Sequence, residues 1–93
     1  MSIKQTIAHM IKHSLSKINI DKQESEIVIE IPKDKINGDY STNIALVLTK
    51  ELRKRPSDIA QDIISNIEEN DMIEKIEIAN PGFINIFLKH FTL

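Results

Sequence analysis

The sequence predicts an α+β fold in two layers, with a small, mainly antiparallel sheet of three to four strands packed on about three helices. Three observations support this prediction. Apolar residues recur every three or four positions in three segments, as on one face of a helix. Alternating apolar and polar residues mark one strand near position 29 and two more after position 72. A chain of 93 residues is long enough for one two-layer core and too short for two domains.

The first helix is predicted to begin after Ser2, because a serine hydroxyl is a good N-cap. It ends at the polar segment from Asn19 to Ser25. Its apolar stripe consists of Ile3, Ile7, Ile11, Leu15 and Ile18. A strand follows, and Pro32 ends it because proline donates no hydrogen bond to a sheet. The apolar face of this strand consists of Ile27, Ile29 and Ile31.

A second helix is predicted after the charged loop from Pro32 to Gly38. We expect Asp39 or Ser41 to cap this helix, which runs to about Arg53. Its buried residues are predicted to be Ile44, Ala45, Leu48 and Leu52.

A third helix is predicted to restart after the break at Pro56, with Ser57 as its N-cap. It ends near residues 69–71. Its buried residues are predicted to be Ile59, Ala60, Ile63, Ile64 and Ile67.

The last two strands are predicted to form a hairpin around the turn Asn80-Pro81-Gly82. The first of them places Ile76 and Ile78 on one face. In the second, alternation separates Ile84, Ile86 and Leu88 from Phe83, Asn85 and Phe87.

Two aromatic rings beside an amide are unusual on a surface that faces water. An exposed ring can stack on an unpaired base, and an amide can hydrogen-bond the edge of that base. The alternative interpretation is a strand that is buried on both faces, with Asn85 near one end.

Charge is divided unevenly along the chain. The net charge is −2, but residues 1–56 carry a balance of +3 and residues 57–93 a balance of −5. The candidate phosphate contacts are the cluster Lys50, Arg53, Lys54 and Arg55, together with Lys12, Lys17, Lys33 and Lys35. Solvated helix ends are the alternative explanation for these cations. The overall acidity argues against strong autonomous binding to nucleic acid.

Signals for catalysis and for metal binding are weak. The chain has no cysteine, which excludes a thiol nucleophile and a cysteine-ligated zinc. His9 and His13 have the spacing of a metal-binding pair on a helix, but the sequence places no third ligand, so no metal site is predicted. Gly38 and Gly82 are the only glycines, so there is no phosphate-binding glycine loop. We expect no catalytic residue and no cofactor in this chain.

No membrane segment is expected either. The longest apolar run, from Ile44 to Leu48, is much shorter than the roughly 20 residues that cross a bilayer. The N-terminus lacks the apolar core of a signal peptide, which predicts an intracellular, cytoplasmic protein.

Two separated segments resemble a known protein family. They are the run Gly-Asp-Tyr-Ser-Thr-Asn-Ile-Ala from Gly38 to Ala45, and the run from Ile76 to Asn85 that contains Asn-Pro-Gly-Phe-Ile-Asn. Their order and separation, with Pro56, Ile59 and Ala60 between them, closely resemble the N-terminal additional domain of arginyl-tRNA synthetases. The resemblance covers nearly the whole chain. The ATP-binding motifs of that family, His-x-Gly-His and Lys-Met-Ser-Lys-Ser, are absent here.

The resemblance implies that residues 1–93 form a single N-terminal, tRNA-elbow-binding domain, with the catalytic and anticodon-binding domains absent. We therefore expect the parent chain to continue beyond Leu93. The implied parent enzyme is an arginine-tRNA ligase, with ATP and arginine as its substrates. The implied partners of this domain are tRNA and its own catalytic domain.

In the family this domain contacts the D-loop of tRNA through an aromatic residue and an amide on the last strand. The matching positions are Phe83 and Asn85, with Asn80 as a further candidate. The run from Gly38 to Asn43 is expected to start a helix rather than to bind RNA. The alternative hypothesis is a protein interface, in which the aromatic face docks on the catalytic domain or on another protein without direct RNA contact.

Overall fold

The computed structural model describes residues 2–90 and confirms the two-layer α+β fold. Its sheet has four strands in the order β1-β2-β4-β3, and each pair of neighbours is antiparallel. The strands are β1 (Ile29–Glu30), β2 (Tyr40–Thr42), β3 (Ile73–Ala79) and β4 (Phe83–Leu88). The predicted final hairpin is confirmed as β3 and β4.

The helices are α1 (Ile3–Lys17), α2 (Ile44–Val47), α3 (Thr49–Leu52) and α4 (Pro56–Ser65). Helix α1 begins as predicted, because Ser2 Oγ accepts a 3.1 Å hydrogen bond from the Gln5 N–H. Gln5 Oε1 in turn accepts a 2.8 Å hydrogen bond from the Ser2 N–H. This reciprocal pair satisfies two backbone donors that the helix itself leaves free.

The core lies between the helices and the isoleucine face of β4. Ile84 and Ile86 are almost fully buried there, as the alternation predicted. Ser14 is also buried in this layer, where its hydroxyl donates to the carbonyl oxygen of Ile63 at 2.5 Å and joins α1 to α4. The other core residues of the helical layer are Ile7, Ala8, Ile11, Leu15, Ile44, Ala45, Leu48, Ile59, Ala60 and Ile63.

The segment that was predicted to start the second helix forms strand β2 instead. Asp39 caps no helix, since its carboxylate accepts a 2.8 Å hydrogen bond from the Leu88 N–H. Asn43 takes the N-cap position without a capping bond from its side chain, and the hydroxyl of Thr42 before it accepts from the Ile44 N–H at 3.2 Å. The predicted long helix is thereby shortened to α2 and α3, which follow one another with a break at Leu48.

Three other predicted boundaries were wrong. Ser57 does not cap the third helix, because Pro56 occupies its first turn and Arg55 takes the N-cap position. The helix ends at Ser65, where the Asn66 amide donates to the Asp62 carbonyl oxygen at 2.8 Å. Strand β1 has only two residues, and Ile31 is 61% exposed because it lies outside the ladder.

Candidate nucleic-acid interface

A cleft of about 390 Å³ opens on the face of the sheet that the helices leave free. This volume falls within the range of small-ligand sites. The loop after β1 forms one wall and the end of β3 with its turn forms the other. The three predicted contact residues, Asn80, Phe83 and Asn85, all line this cleft. The three residues that the family resemblance singled out thus lie at one cleft in the structure.

Phe83 lies at the start of β4, opposite Ala79 on β3. Because alanine has only a methyl group, it covers little of the facing ring. Phe83 is accordingly 38% exposed, which is a large fraction for a phenylalanine. Its position leaves a ring surface on which a flat ligand can stack.

Phe87 shares the same strand face but has a different environment. It pairs with Lys75 on β3, and the Lys75 Nζ lies 4.5 Å from the centre of the Phe87 ring. This cation–π contact occupies the ring. Phe87 also does not line the cleft, so the two aromatic residues of β4 differ in what they can bind.

Asn85 lies between these two rings and is only 6% exposed. Its Oδ1 accepts a 2.9 Å hydrogen bond from Ser41 Oγ on β2. Its Nδ2 has no hydrogen-bond acceptor among residues 2–90, yet the atom is not sealed from solvent. The amide therefore keeps donor capacity for a group that enters the cleft.

Uncharged amides dominate the polar lining of this cleft. Four asparagines contribute to it, namely Asn37, Asn43, Asn80 and Asn85. An amide offers one acceptor and two donors without a net charge. Such groups complement the edges of nucleobases, whereas phosphates are more often bound by cations. The exposed fractions of the two side chains decide the alternative interpretation of a strand buried on both faces. That interpretation holds for Asn85, which is 6% exposed, but not for Phe83, which is 38% exposed.

The cations are distributed differently from the amides. Lys33 lines the cleft, as does the carboxylate-bearing Glu30. The predicted cluster at residues 50–55 does not line it. Within that cluster, Lys54 pairs with Asp62 at 3.3 Å and Arg55 pairs with Asp58 at 3.2 Å. Lys50 and Arg53 form no ion pair with the residues that the structure describes.

The cluster at residues 50–55 is nevertheless connected to the cleft by the residue that follows it, Pro56. Pro56 follows Arg55 and packs so closely on the β3–β4 turn that a Cβ at Gly82 would lie 2.4 Å from the Pro56 Cβ. Glycine is required at this position by that contact.

The other candidate cations interact with groups outside the cleft. Lys12 donates a hydrogen bond to the Lys22 carbonyl oxygen, Lys17 forms an ion pair with Glu68, and Lys35 forms an ion pair with Asp39.

Asp39 fixes the wall of the cleft to the sheet. Its Oδ2 accepts from the Leu88 N–H at 2.8 Å and lies 3.2 Å from His90 Nε2. Its Oδ1 lies 3.4 Å from Lys35 Nζ. The Leu88 N–H, followed by His90 and Lys35, holds the pKa of the Asp39 carboxyl below its usual range despite its burial. The ionised carboxylate thus anchors the loop from 32 to 38 beside β4.

The two histidines of α1 pair with carboxylates rather than with each other. His9 Nδ1 lies 2.7 Å from Glu24 Oε1, and His13 Nε2 lies 3.2 Å from Glu68 Oε1. His13 and Lys17 together lower the pKa of the Glu68 carboxyl. Within residues 2–90 there is no group of three or more potential metal ligands. No helix in that part of the chain is long and apolar enough to span a membrane.

The sequence prediction missed the β2 side of this site. Ser41 and Asn43 line the cleft, although Ser41 was expected only as a helix cap. The alternation of Tyr40 and Thr42 with Ser41 and Asn43 was a signal for a strand with one polar face. Its three-residue length made that signal weaker than the helical pattern that follows it.

A family model matches residues 5–88 of the chain, and its description is the arginyl tRNA synthetase N terminal domain. An arginine–tRNA ligase of Staphylococcus carnosus (strain TM300) is 46% identical over 89 residues, which are 95% of this chain and 16% of the relative. An arginine–tRNA ligase of Staphylococcus aureus (strain JH9) is 46% identical over 87 residues, which are 92% of this chain and 16% of the relative. The chain thus spans only a small part of the curated relatives that it matches.

Solved structures show the same fold. The Thermus thermophilus arginyl-tRNA synthetase superimposes with a TM-score of 0.81 at 22% identity, over 95% of this chain and 14% of that protein. The Plasmodium falciparum arginyl-tRNA synthetase superimposes with a TM-score of 0.77 at 26% identity, over 94% of this chain and 16% of that protein.

Proposed function

This chain belongs to the family of arginyl-tRNA synthetase N-terminal domains, and we propose that it is the non-catalytic, tRNA-contacting domain of an arginine-tRNA ligase. Its cleft receives one unpaired nucleotide from the D-loop at the elbow of the tRNA. The observation that supports this proposal is the convergence of Asn80, Phe83 and Asn85 on a single cleft. Unpaired nucleotides are the usual targets of side chains that recognise RNA bases.

In this proposal each lining residue has a separate role. Phe83 stacks on the base, because its ring is the exposed aromatic surface of the cleft. Asn85 donates a hydrogen bond to the base edge, and Asn80 bonds the edge or the sugar. Lys33 lies on the opposite wall and contacts the phosphate. Stacking contributes roughly 1 to 3 kcal/mol per base, so binding by this domain alone is weak.

The remaining proposed contacts lie outside the cleft. Lys50, Arg53, Lys54 and Arg55 contact the tRNA backbone beyond the β3–β4 turn, on the side where Pro56 packs on Gly82. ATP and arginine are bound by the catalytic domain of the parent enzyme, which is also the protein partner of this domain. The enzyme acts in the cytoplasm.

A titration tests the proposed contact directly. The ¹⁵N-labelled chain is titrated with an RNA hairpin that has the stem and loop of a D-arm. We expect the amide signals of Phe83 and Asn85 to shift, with smaller changes at residues on the helical layer. A fully paired RNA duplex with the same number of phosphates is the control, since it offers charge without an unpaired base.

The same titration separates this proposal from the alternative of a protein-docking surface. If the hairpin leaves the Phe83 and Asn85 signals where they are, the cleft does not bind the D-loop. An equal response to hairpin and duplex would show charge attraction without base recognition, and would also contradict the proposal.

A further inference from the structure

We propose that Ser41 is a positioning residue, which turns the Asn85 amide so that its N–H groups face the bound base. The inference rests on the proposed function, because it concerns how the same cleft selects a nucleotide. It adds a residue on a different strand, β2, and specifies that the base must present a hydrogen-bond acceptor at this point.

The geometry of the sheet brings the two side chains together. In the antiparallel ladder between β2 and β4, Ser41 is the direct partner of Asn85. Directly opposed residues of neighbouring strands place their side chains on the same face of the sheet. Here the Ser41 hydroxyl donates to Asn85 Oδ1 at 2.9 Å, and both residues line the cleft.

The neighbours of this pair offer no competing donor for the amide oxygen. In the next positions of the same cross-strand row, Glu30 opposes Ser41 and Glu77 opposes Asn85. An ionised carboxylate accepts hydrogen bonds and donates none. Ser41 is thus the one residue of this row, apart from Asn85 itself, that can donate a hydrogen bond, and in the structure it donates to Asn85 Oδ1.

Fixing the amide has a consequence for selectivity. A free asparagine can rotate by half a turn and exchange its donor end for its acceptor end, so it suits many base edges. With Oδ1 held by Ser41, the two N–H groups of Nδ2 form the open side of the amide. A base that presents a carbonyl oxygen or an acceptor ring nitrogen there gains a hydrogen bond from Nδ2. A base that presents only an amino group places a donor against the Nδ2 donors and gains no hydrogen bond.

A panel of four D-arm hairpins tests this inference. The hairpins differ only in the base at one unpaired loop position, and Kd is measured for each by the chain and its variants. For the unmodified chain we expect the tightest and weakest hairpins to differ about tenfold, the effect of one hydrogen bond of roughly 1.4 kcal/mol. In Ser41→Ala the amide is free to rotate, so this spread should shrink to about twofold or threefold.

Two further variants separate positioning from general damage. Ser41→Thr keeps the hydroxyl and suits a strand, so it should restore the spread. Asn85→Asp keeps an acceptor for Ser41 but replaces the N–H donors with a second carboxylate oxygen. It should therefore weaken binding of the preferred hairpin at least tenfold and change the order of preference.

The outcomes distinguish this inference from the proposed function. If the unmodified chain binds none of the four hairpins, the proposed function itself is refuted. If the chain discriminates and Ser41→Ala keeps the same order and spread, the positioning role is refuted while the proposed function stands. Unchanged binding by Asn85→Asp would likewise show that the amide does not donate to the base.

Discussion

At the scale of single residues, the two aromatic side chains on the outer face of β4 show how a neighbour determines what a ring can do. Phe83 faces the methyl group of Ala79 and stays 38% exposed, whereas Phe87 is covered by the ammonium group of Lys75. The strand period places both rings on one face but does not distinguish them. The cross-strand partner makes the distinction, and it depends on the register of the hairpin.

This difference predicts unequal effects of two chemically identical substitutions. Phe83→Ala should weaken binding to a D-arm hairpin by about 5-fold to 150-fold, which corresponds to the loss of one stacked base at 1 to 3 kcal/mol. Phe87→Ala should change the affinity by less than about twofold, because its ring is already occupied by Lys75. Isothermal titration calorimetry on both variants, after circular dichroism has shown that each is folded, measures the two effects. Equal losses would contradict the assignment of Phe83 as the stacking residue.

Asp39 leads to a prediction about stability and pH. Its carboxyl has a pKa lowered from the ordinary 3.8, chiefly by the hydrogen bond from the Leu88 N–H. A pKa that is lower in the folded state means that the ionised form stabilises the fold. This stabilisation is fully present above the ordinary value and is lost as the pH falls through the folded-state pKa.

Asp39→Asn should therefore destabilise the chain by about 1.5 to 3 kcal/mol at pH 7, the range for hydrogen bonds to a charged group. The difference between variant and parent should shrink as the pH approaches 3. Urea unfolding at pH 7 and pH 3 measures this difference. Asp71→Asn, at an exposed carboxylate, is the control and should show a small difference at both pH values. If Asp39→Asn destabilises the chain equally at pH 7 and pH 3, the charge of the Asp39 carboxylate is not what stabilises the fold.

At the scale of elements, the sequence predicted the patterns that are long enough to repeat. The β3–β4 hairpin and the isoleucine face of β4 extend over several periods and are confirmed, as is the α1 stripe at Ile7, Ile11 and Leu15. At the start of that stripe the prediction was wrong, because Ile3 is 42% exposed in the first turn of the helix. Strand β2 has three residues, Tyr40–Thr42, so its alternation repeats only once. It is stabilised by pairing with β4, more than 40 positions away in the chain, and such long-range contacts have no local signature.

In the candidate site, too, only part of the lining could be predicted from the sequence. The half of the cleft on β4 was predicted from alternation and from family resemblance. Ser41 on β2, Asn43 directly after this strand, and the loop that carries Lys33 enter the site only through the sheet order. Asp39 was expected at a helix start because its side chain is a common cap, but a strand-end amide, Leu88 N–H, binds it instead.

Gly38 is where the loop meets the sheet, and its substitution should destabilise that junction. Its φ of 95° is unfavourable for residues with a Cβ, and a Cβ there would lie 2.8 Å from the Ile86 carbonyl oxygen. Gly38→Ala should cost about 2 kcal/mol or more, since backbone strain of 1 to 3 kcal/mol is joined by a steric clash.

Asn19→Ala is a suitable comparison for Gly38→Ala. Asn19 also has a positive φ, of 64°, but it is exposed, so its substitution tests the backbone effect without a buried clash. We expect it to cost only about 1 kcal/mol. Chemical denaturation of both variants gives the two values. If Gly38→Ala is no more destabilising than Asn19→Ala, the close approach to β4 is not a constraint on the fold.

At the scale of the whole molecule, charge limits how this domain can bind RNA. The net charge is −2, and the carboxylates of Asp62 and Asp58 partly neutralise Lys54 and Arg55 in the basic cluster. Strong nucleic-acid binders neutralise many phosphates and lose affinity steeply with salt. The cleft of this domain instead has a lining of four asparagines with one cation, Lys33, and one carboxylate, Glu30. In the proposed function, this domain therefore contributes selection among RNAs more than affinity.

This charge distribution predicts a weak dependence of affinity on salt. A plot of log Kd against log salt for the D-arm hairpin should have a slope of about 1 to 3 in magnitude, as expected for a few phosphate contacts. Lys33→Ala should reduce that slope by about 1 and weaken binding of all four loop hairpins by a similar factor, because a phosphate contact carries no base preference.

Lys17→Ala is the matched control, since Lys17 pairs with Glu68 on the helical layer and does not line the cleft. It should leave the slope unchanged. A steep slope that Lys33→Ala does not alter would place the phosphate contacts elsewhere, with Lys50 and Arg53 as the next positions to substitute.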